Sequence, residues 1–548
     1  MTSTIQILVL LLVIIAAAGV TAKRLQVPPA ILLVVIGVGL TAIPRVPAVT
    51  LAPEIVLLLV LPLLVYSTAV AMSWREFRFN LRPISLLAVG GVVFTTAAAA
   101  AVAHGLLGMS WAVAFVLGAI VSPPDAVAPL AITRRLRVPR RLIVVLEGEG
   151  LANDATALTL YRFAVVAVSA GVFSFEKAAG MFAAMIVGEL LWGIVVGWLM
   201  LRLRRWVADP QVEILLSILT PFVAYWPPLQ LGGSGVLATV AAGLYVSWNG
   251  ARLISSATRL QGIFFWEVLV YLIEGMLFLI TGLQARSLLA GMTSYPVAAL
   301  VISATVVSAV VILARFAWVF PAVYLPRLLF PPIARADPAP PWQWAFLLAF
   351  TGVRGIDSLA AALAIPLATA AGSAFPNRDL ILFLTFSVIC VTLVGQGLVL
   401  PAVIRALGLA NAGAQEHRTE RDAELQARRQ AIDAGIRRLE ELARERRLPK
   451  TLLNQLRTEY EGRLEHLDRP AQGDRTASRP GPHVLHEVRN LLLAAERDTI
   501  NELHRLGTLT DIGRRRIERE LDLLDASLAN HEHEESSTGD CRPPAVDS

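Results

Sequence analysis

The chain runs to 548 residues, 55% of them hydrophobic and 16% charged, with a mean hydropathy of +0.62. That is too apolar for a water-soluble chain of this length, so the bulk of it belongs in lipid. The formal charge of +6 sits mainly in short loops between apolar runs, which is the pattern of membrane topology and not of a nucleic-acid-binding stripe.

The N-terminus has no basic cluster before its first apolar run, and further apolar runs follow at once, so it reads as a retained first helix and not a cleaved signal. A spanning helix needs about 20 mostly apolar residues. That template fits about thirteen times before residue 407: at 5–22, 28–43, 53–72, 84–107, 112–133, 142–168, 178–200, 212–227, 233–248, 266–283, 297–324, 342–363 and 380–403. Basic residues test this map, because they collect on the cytoplasmic side. One set of alternate loops, with the tail junction, holds eighteen, from Lys23 and Arg24 to Arg405; the other holds four, Arg45, Lys177, Arg286 and Arg378. An odd span count then puts the N-terminus outside and the tail in the cytoplasm. We expect a transmembrane domain over 1–410 and a cytoplasmic helical tail over 411–548. Leu425, Ile432, Ile436 and Leu439 share one face of its first helix. A Pro, Gly and Ser linker at 470–482 divides this tail from a second amphipathic stretch at 484–528, and the last twenty or so residues read as disordered. Cys390 lies in an apolar run and Cys541 in this polar end, so neither a disulfide nor a cysteine metal site is expected.

Charges inside spans cost at least about 2.5 to 3.5 kcal/mol each on insertion scales, so each invites a functional reading. The fifth span carries Ser122-Pro123-Pro124-Asp125-Ala126-Val127-Ala128-Pro129, where prolines delete amide donors around one aspartate. A helix interrupted at mid-membrane presents backbone carbonyls and a carboxylate to a cation; the bland alternative is a kink with Asp125 used in capping. The sixth span opens Glu147-Gly148-Glu149-Gly150-Leu151-Ala152-Asn153-Asp154, which sets Gly150, Asn153, Asp154 and Ala157 along one face. Small residues there let another backbone approach, and Asp154 would stand near the level of Asp125. Burial favours the neutral acid and a bound cation favours the carboxylate, so proton and cation compete for one site. The twelfth span holds Gly352-Val353-Arg354-Gly355-Ile356-Asp357-Ser358, a second interrupted helix. Arg354 is read as neutralising Glu149 or offsetting the broken-helix dipoles. Asp357 is read either as a local partner of Arg354 or as part of the cation path. Glu189, Arg162 and Arg315 are weaker candidates; Glu274, in a Gly-flanked stretch, is a better one for lining the pathway.

These stretches, in this order, resemble the motifs of the monovalent cation:proton antiporter-1 family, which includes NhaP-type bacterial antiporters and animal sodium/proton exchangers. SPPDAVAP looks like that family's Ser-Pro-x-Asp-Pro-Val, EGLAND like its Glu-Ser-Leu-Leu-Asn-Asp, and GVRGIDSLAAAL like its Arg-Gly-x-x-Ser-Leu; the similarity covers residues 1–409. The resemblance implies an all-α membrane protein with two inverted repeats, two broken crossing helices and a homodimer. It implies exchange of a monovalent cation, sodium first with lithium or potassium as alternatives, for a proton by alternating access at the plasma (inner) membrane, serving pH and sodium homeostasis. Asp154 becomes the acid that binds cation and proton alternately, with Asp125 stabilising Asn153, Glu149 bridging to Arg354, and Ser122, Gly150, Asp357 and Glu274 in support. The chain departs from the pattern at Gly150 (serine in many members), Pro124 (threonine), Ala126 (proline) and Ser67 (often glutamate), and Asp357 and Glu274 are added acids.

The expected partners are lipid, small cations and a second copy, with no nucleic acid and no cofactor. Asn153 stands where electrogenic relatives carry a second aspartate, so one cation for one proton, an electroneutral exchange, is expected. A passive channel fits a proline-broken acidic helix less well, and an intramembrane aspartyl protease would want Tyr-Asp and Gly-x-Gly-Asp signatures that this sequence lacks.

Overall fold

The computed structural model describes residues 2–44, 52–170, 175–207, 209–250, 254, 256–292, 295–369, 372–446 and 450–468. The chain divides into two compact units, Met1–Arg418 and Thr419–Ser548. Within the first, the described residues are helical apart from short connections and one isolated bridge between Ala368 and Ala374. Each of the thirteen expected segments holds helix. Nine helical stretches among the described residues are long and apolar enough to cross a membrane, from Gln6–Leu25 to Arg378–Ala406. Pro29–Leu40 and Trp111–Val121 are shorter apolar helices. In the second unit the chain is helical to Arg446 and again over Lys450–Asp468; Ile432 is buried, Ile436 and Leu439 are partly buried, and Gly435 packs against the Tyr460 ring. The linker at 470–482, the stretch at 484–528 and the last twenty residues lie outside the described residues, as does the Leu425 side chain.

Local sequence explains the helix boundaries. Pro210–Gln230 starts where the Asp209 carboxylate accepts the Gln211 N–H at 2.7 Å and Pro210 takes the first turn, whose amide would have no intrahelical partner anyway. The bundle is apolar on both sides of its wall. Val13, Val195, Val301 and Leu313 are exposed on the outside, as lipid requires, while the inside is packed with small residues. Pro29–Leu40 lies so close to Ser256–Leu283 that a Cβ on Gly37 would overlap Gly282, and one on Gly282 would overlap Gly37.

At one end of the bundle, Asp337 gathers Arg82, Arg141 at 2.9 Å and Arg327 at 2.7 Å, from three separate helices. Burial alone would push the Asp337 carboxyl up, but the hydrogen bond and charge of Arg141, with the charges of Arg327 and Arg82, outweigh it and hold the group below the usual carboxylate range. A group so depressed contributes stability above its unfolded value, near about 4, and that contribution disappears as pH falls through the lower folded value. Asp337→Asn should therefore lower the melting temperature of the detergent-solubilised protein at pH 7, and the gap to wild type should narrow below about pH 4. A gap that is constant with pH would mean the three arginines do not act on this carboxylate.

Candidate cation site

Two interrupted helices meet in the middle of the bundle. The first runs Trp111–Val121, breaks over Ser122 to Ala126, and resumes as Val127–Arg135. Pro123 and Pro124 have no N–H to give to a helix, and the break follows from that. The second runs Trp342–Phe350, opens at Thr351 to Gly355, and resumes as Ile356–Leu363. The two breaks satisfy each other: the Asp125 N–H donates to the Val353 carbonyl at 2.7 Å, and Arg354 Nε donates to the Val121 carbonyl at 2.6 Å. The contact is close enough that a Cβ on Gly355 would overlap the Asp125 carboxylate, so the glycine is required there.

Arg354 is 1% exposed and serves the crossing. Its Nη1 donates to the Gly352 carbonyl at 2.5 Å, and its N–H donates at 2.9 Å to Thr392 Oγ1. Thr392 lies in a widened turn, Cys390–Gln396, of the helical stretch that follows. The expected bridge from Glu149 to Arg354 is not formed. Glu149 is held bidentately by Arg315, at 2.5 and 2.8 Å, and Arg315 Nε donates to the Leu348 carbonyl at 3.0 Å. Arg354 spends its donors on backbone carbonyls exposed by the breaks, and the planar fork of Arg315 takes the carboxylate. Sequence reading ranked Arg315 low because no proline or polar motif adjoins it; the signal it did carry was a lone cation in a long apolar span.

The remaining expected residues fall into three groups. Asn153, 1% exposed, donates from Nδ2 to the Pro124 carbonyl at 2.6 Å, so it is the backbone at the break that backs it and not the Asp125 carboxylate. The Asn153 Oδ1 is buried and accepts no hydrogen bond among the described residues. The Asp125 carboxylate accepts the Val127 N–H at 2.8 Å and so caps the second half of its own helix. Ser122 donates to the Ala119 carbonyl at 3.0 Å. Gly150 faces Ala126: a Cβ there would come within 2.8 Å of the Ala126 methyl, so the glycine admits the break where a serine would crowd it. Asp154 and Asp357, brought from different helices, line one small cavity with Leu57, Leu61, Pro123 and Tyr161. Glu274 is outside that lining, though the charges of Asp125 and Asp357 act on it.

Two charges rated as weak from sequence are structural. Glu189 accepts the N–H groups of Ser234, Gly235 and Leu237, at 2.5, 3.0 and 3.1 Å, and so caps the helix Val236–Gly250. Arg162 bonds the carbonyls of Gly232 and Gly233 at 3.1 and 2.5 Å just before it.

Apolar helices around two crossing, interrupted helices, with carboxylates buried at the crossing, define a secondary transporter built on discontinuous helices. The chain belongs to the family described as sodium/hydrogen exchanger, transmembrane, which matches residues 7–406. It is a transporter of that family and not an enzyme. It is 34% identical to a protein of Mycobacterium tuberculosis named as an Na(+)/H(+) exchanger, over 95% of this chain and 96% of that one. It is 31% identical to the sodium, potassium, lithium and rubidium/H(+) antiporter of Bacillus subtilis, over 72% of this chain and 60% of that one. The fold is similar to that of the sodium proton antiporter MjNhaP1 from Methanocaldococcus jannaschii, with a TM-score of 0.59 at 17% identity, covering 75% of this chain and 98% of that one.

Removing either member of the Glu149–Arg315 pair leaves a buried charge without its partner, at a cost of roughly 3 to 5 kcal/mol. Glu149→Gln and Arg315→Gln should each unfold at markedly lower temperature in detergent, and the double variant should recover much of the loss. A double variant no better than the worse single one would rule out the pairing.

Proposed function

We propose that this protein exchanges a monovalent cation for protons at Asp154, by alternating access of the crossing site to the two sides of the membrane. The observation that carries the reading is the state of Asp154. It is 9% exposed and lines the cavity beside the broken helices, and among the described residues no hydrogen bond or ion pair reaches its carboxylate. A buried acid left without a partner is stable when protonated or when a cation sits on it, and those are the two loads an exchanger carries. Asn153 supports the site from the next position, fixed to the Pro124 carbonyl and holding an unused acceptor. Asp125 and Arg354 keep the breaks in place. Sodium is the first candidate ion; the Bacillus subtilis relative, named for four alkali cations, supports testing potassium and lithium beside it.

The loop charges support a cytoplasmic tail, and the family resemblance is what supports a homodimer in the plasma membrane serving pH and sodium homeostasis.

Asp154→Asn should abolish cation-driven collapse of a pH gradient in everted vesicles while the protein still inserts. Asp125→Asn keeps one oxygen to cap Val127 and should slow exchange without eliminating it. Exchange at wild-type rate in Asp154→Asn would remove that residue from its role. A chain ending after Arg418 should still exchange, with altered pH dependence, because the crossing site is complete before that point; a well-inserted truncation with no transport would give the tail a direct part.

A further inference from the structure

We propose that Asp357 is a second carboxylate of the transport site, so that each cation bound displaces two protons, one from Asp154 and one from Asp357. The proposal rests on the exchange reading above and deepens it. The first observation is placement: the two acids come from different helices, Arg140–Ala170 and Ile356–Leu363, yet line the same cavity. That cavity has room for roughly one water-sized particle. An ion in it would be stripped of most of its hydration, and oxygens of the wall would have to replace that water. The second observation is that both acids are unused. Among the described residues no hydrogen bond or ion pair reaches either carboxylate, and Arg354, three positions before Asp357, gives its side-chain bonds to the Val121 and Gly352 carbonyls. Glu149 and Glu189, by contrast, are each held by hydrogen-bond donors.

The acids outnumber the cations around the cavity, and the two arginines that act on Tyr161 in its wall, Arg162 and Arg378, are bonded to backbone carbonyls. Asp125 acts on both Asp154 and Asp357, Glu274 is within reach of Asp125 and Asp357, and Tyr161 stands in the cavity wall. The nearest cation on the chain after Asp357, Arg378, is bonded to the carbonyls of Leu363 and Ile365 at the other end of that helix. With no arginine among the residues that line the cavity, two ionised acids in it repel each other strongly, and either protons or a cation must occupy the site. Loading is then balanced as two neutral acids and one cation giving two carboxylates, one bound cation and two released protons. One positive charge crosses one way for two the other way. The one-for-one count expected from Asn153 holds only if Asp154 titrates alone.

The experiment uses full-length protein in proteoliposomes with the potential clamped at zero by valinomycin and equal potassium, after a control showing that potassium is not itself carried, or with a protonophore-free lipophilic-cation clamp where it is. At zero potential, where the extra charge does no electrical work, a tenfold proton gradient should hold roughly a hundredfold sodium gradient at the point where net flux stops. In Asp357→Asn the same proton gradient should hold roughly a tenfold sodium gradient, and Asp357→Glu should restore the steeper relation. A wild-type relation of first power overturns the proposal, as does an unchanged square relation in Asp357→Asn. If Asp357→Asn does not exchange, protons released per sodium bound to it in detergent decide: one supports the proposal and two overturns it. Sodium-coupled proton movement missing from the wild type would overturn the exchange reading and this assignment together.

Discussion

Every polar backbone group in the middle of a membrane protein must find a partner inside the protein, because lipid offers none. Two prolines at 123 and 124 and two glycines at 352 and 355 interrupt two helices of this bundle, and the interruption leaves amides and carbonyls with nothing local to bond. The structure resolves this by crossing the breaks, Asp125 N–H to Val353 carbonyl and Arg354 to Val121 carbonyl. Everything else at the site depends on that exchange. It fixes the Pro124 carbonyl against Asn153, sets the helix Val127–Arg135 on its Asp125 cap, and aims Ile356–Leu363 so that Asp357 enters the cavity of Asp154. The buried arginine at the crossing bonds the Val121 and Gly352 carbonyls; the buried pair beside it, Glu149 with Arg315, ties the helix Arg140–Ala170 to Val297–Leu329.

The acids divide into those with partners and those without. Glu149, Glu189 and Asp337 are acids with partners, and they hold helices together or cap them. Among the described residues, Asp154 and Asp357 have none. A charged group kept in the interior without a partner is costly, and that cost is the ground for proposing that protons and a cation take turns in this cavity.

Much of this was legible in the sequence. The all-helical membrane class followed from apolar length, and both breaks from proline and glycine in the middle of apolar runs, because those residues act on the backbone wherever they stand. The spacing also set Asp125, Asn153 and Asp154 near the breaks, where the structure has them. What the sequence could not supply was pairing across the bundle. Arg315 lies 166 positions from Glu149, with nothing local to mark it, and Arg354 was assigned to that acid because it was the cation with a motif around it. Asp357 was left between two roles for a related reason: its spacing from Arg354 allowed a local pair, and only the orientation of the Gly355 break decides which way the carboxylate faces. The Gly150 and Ala126 departures make sense only together, since one admits the other.

The central claim is that proton and cation use the same carboxylate site in turn. The direct test is the sodium dependence of exchange in everted vesicles, followed with a fluorescent pH-gradient dye over a range of pH. Competition for one site predicts that the sodium concentration giving half-maximal exchange rises steadily as pH falls, while saturating sodium restores the rate. A half-maximal concentration that stays constant as the saturated rate falls with pH would place proton and sodium at separate sites and contradict the account.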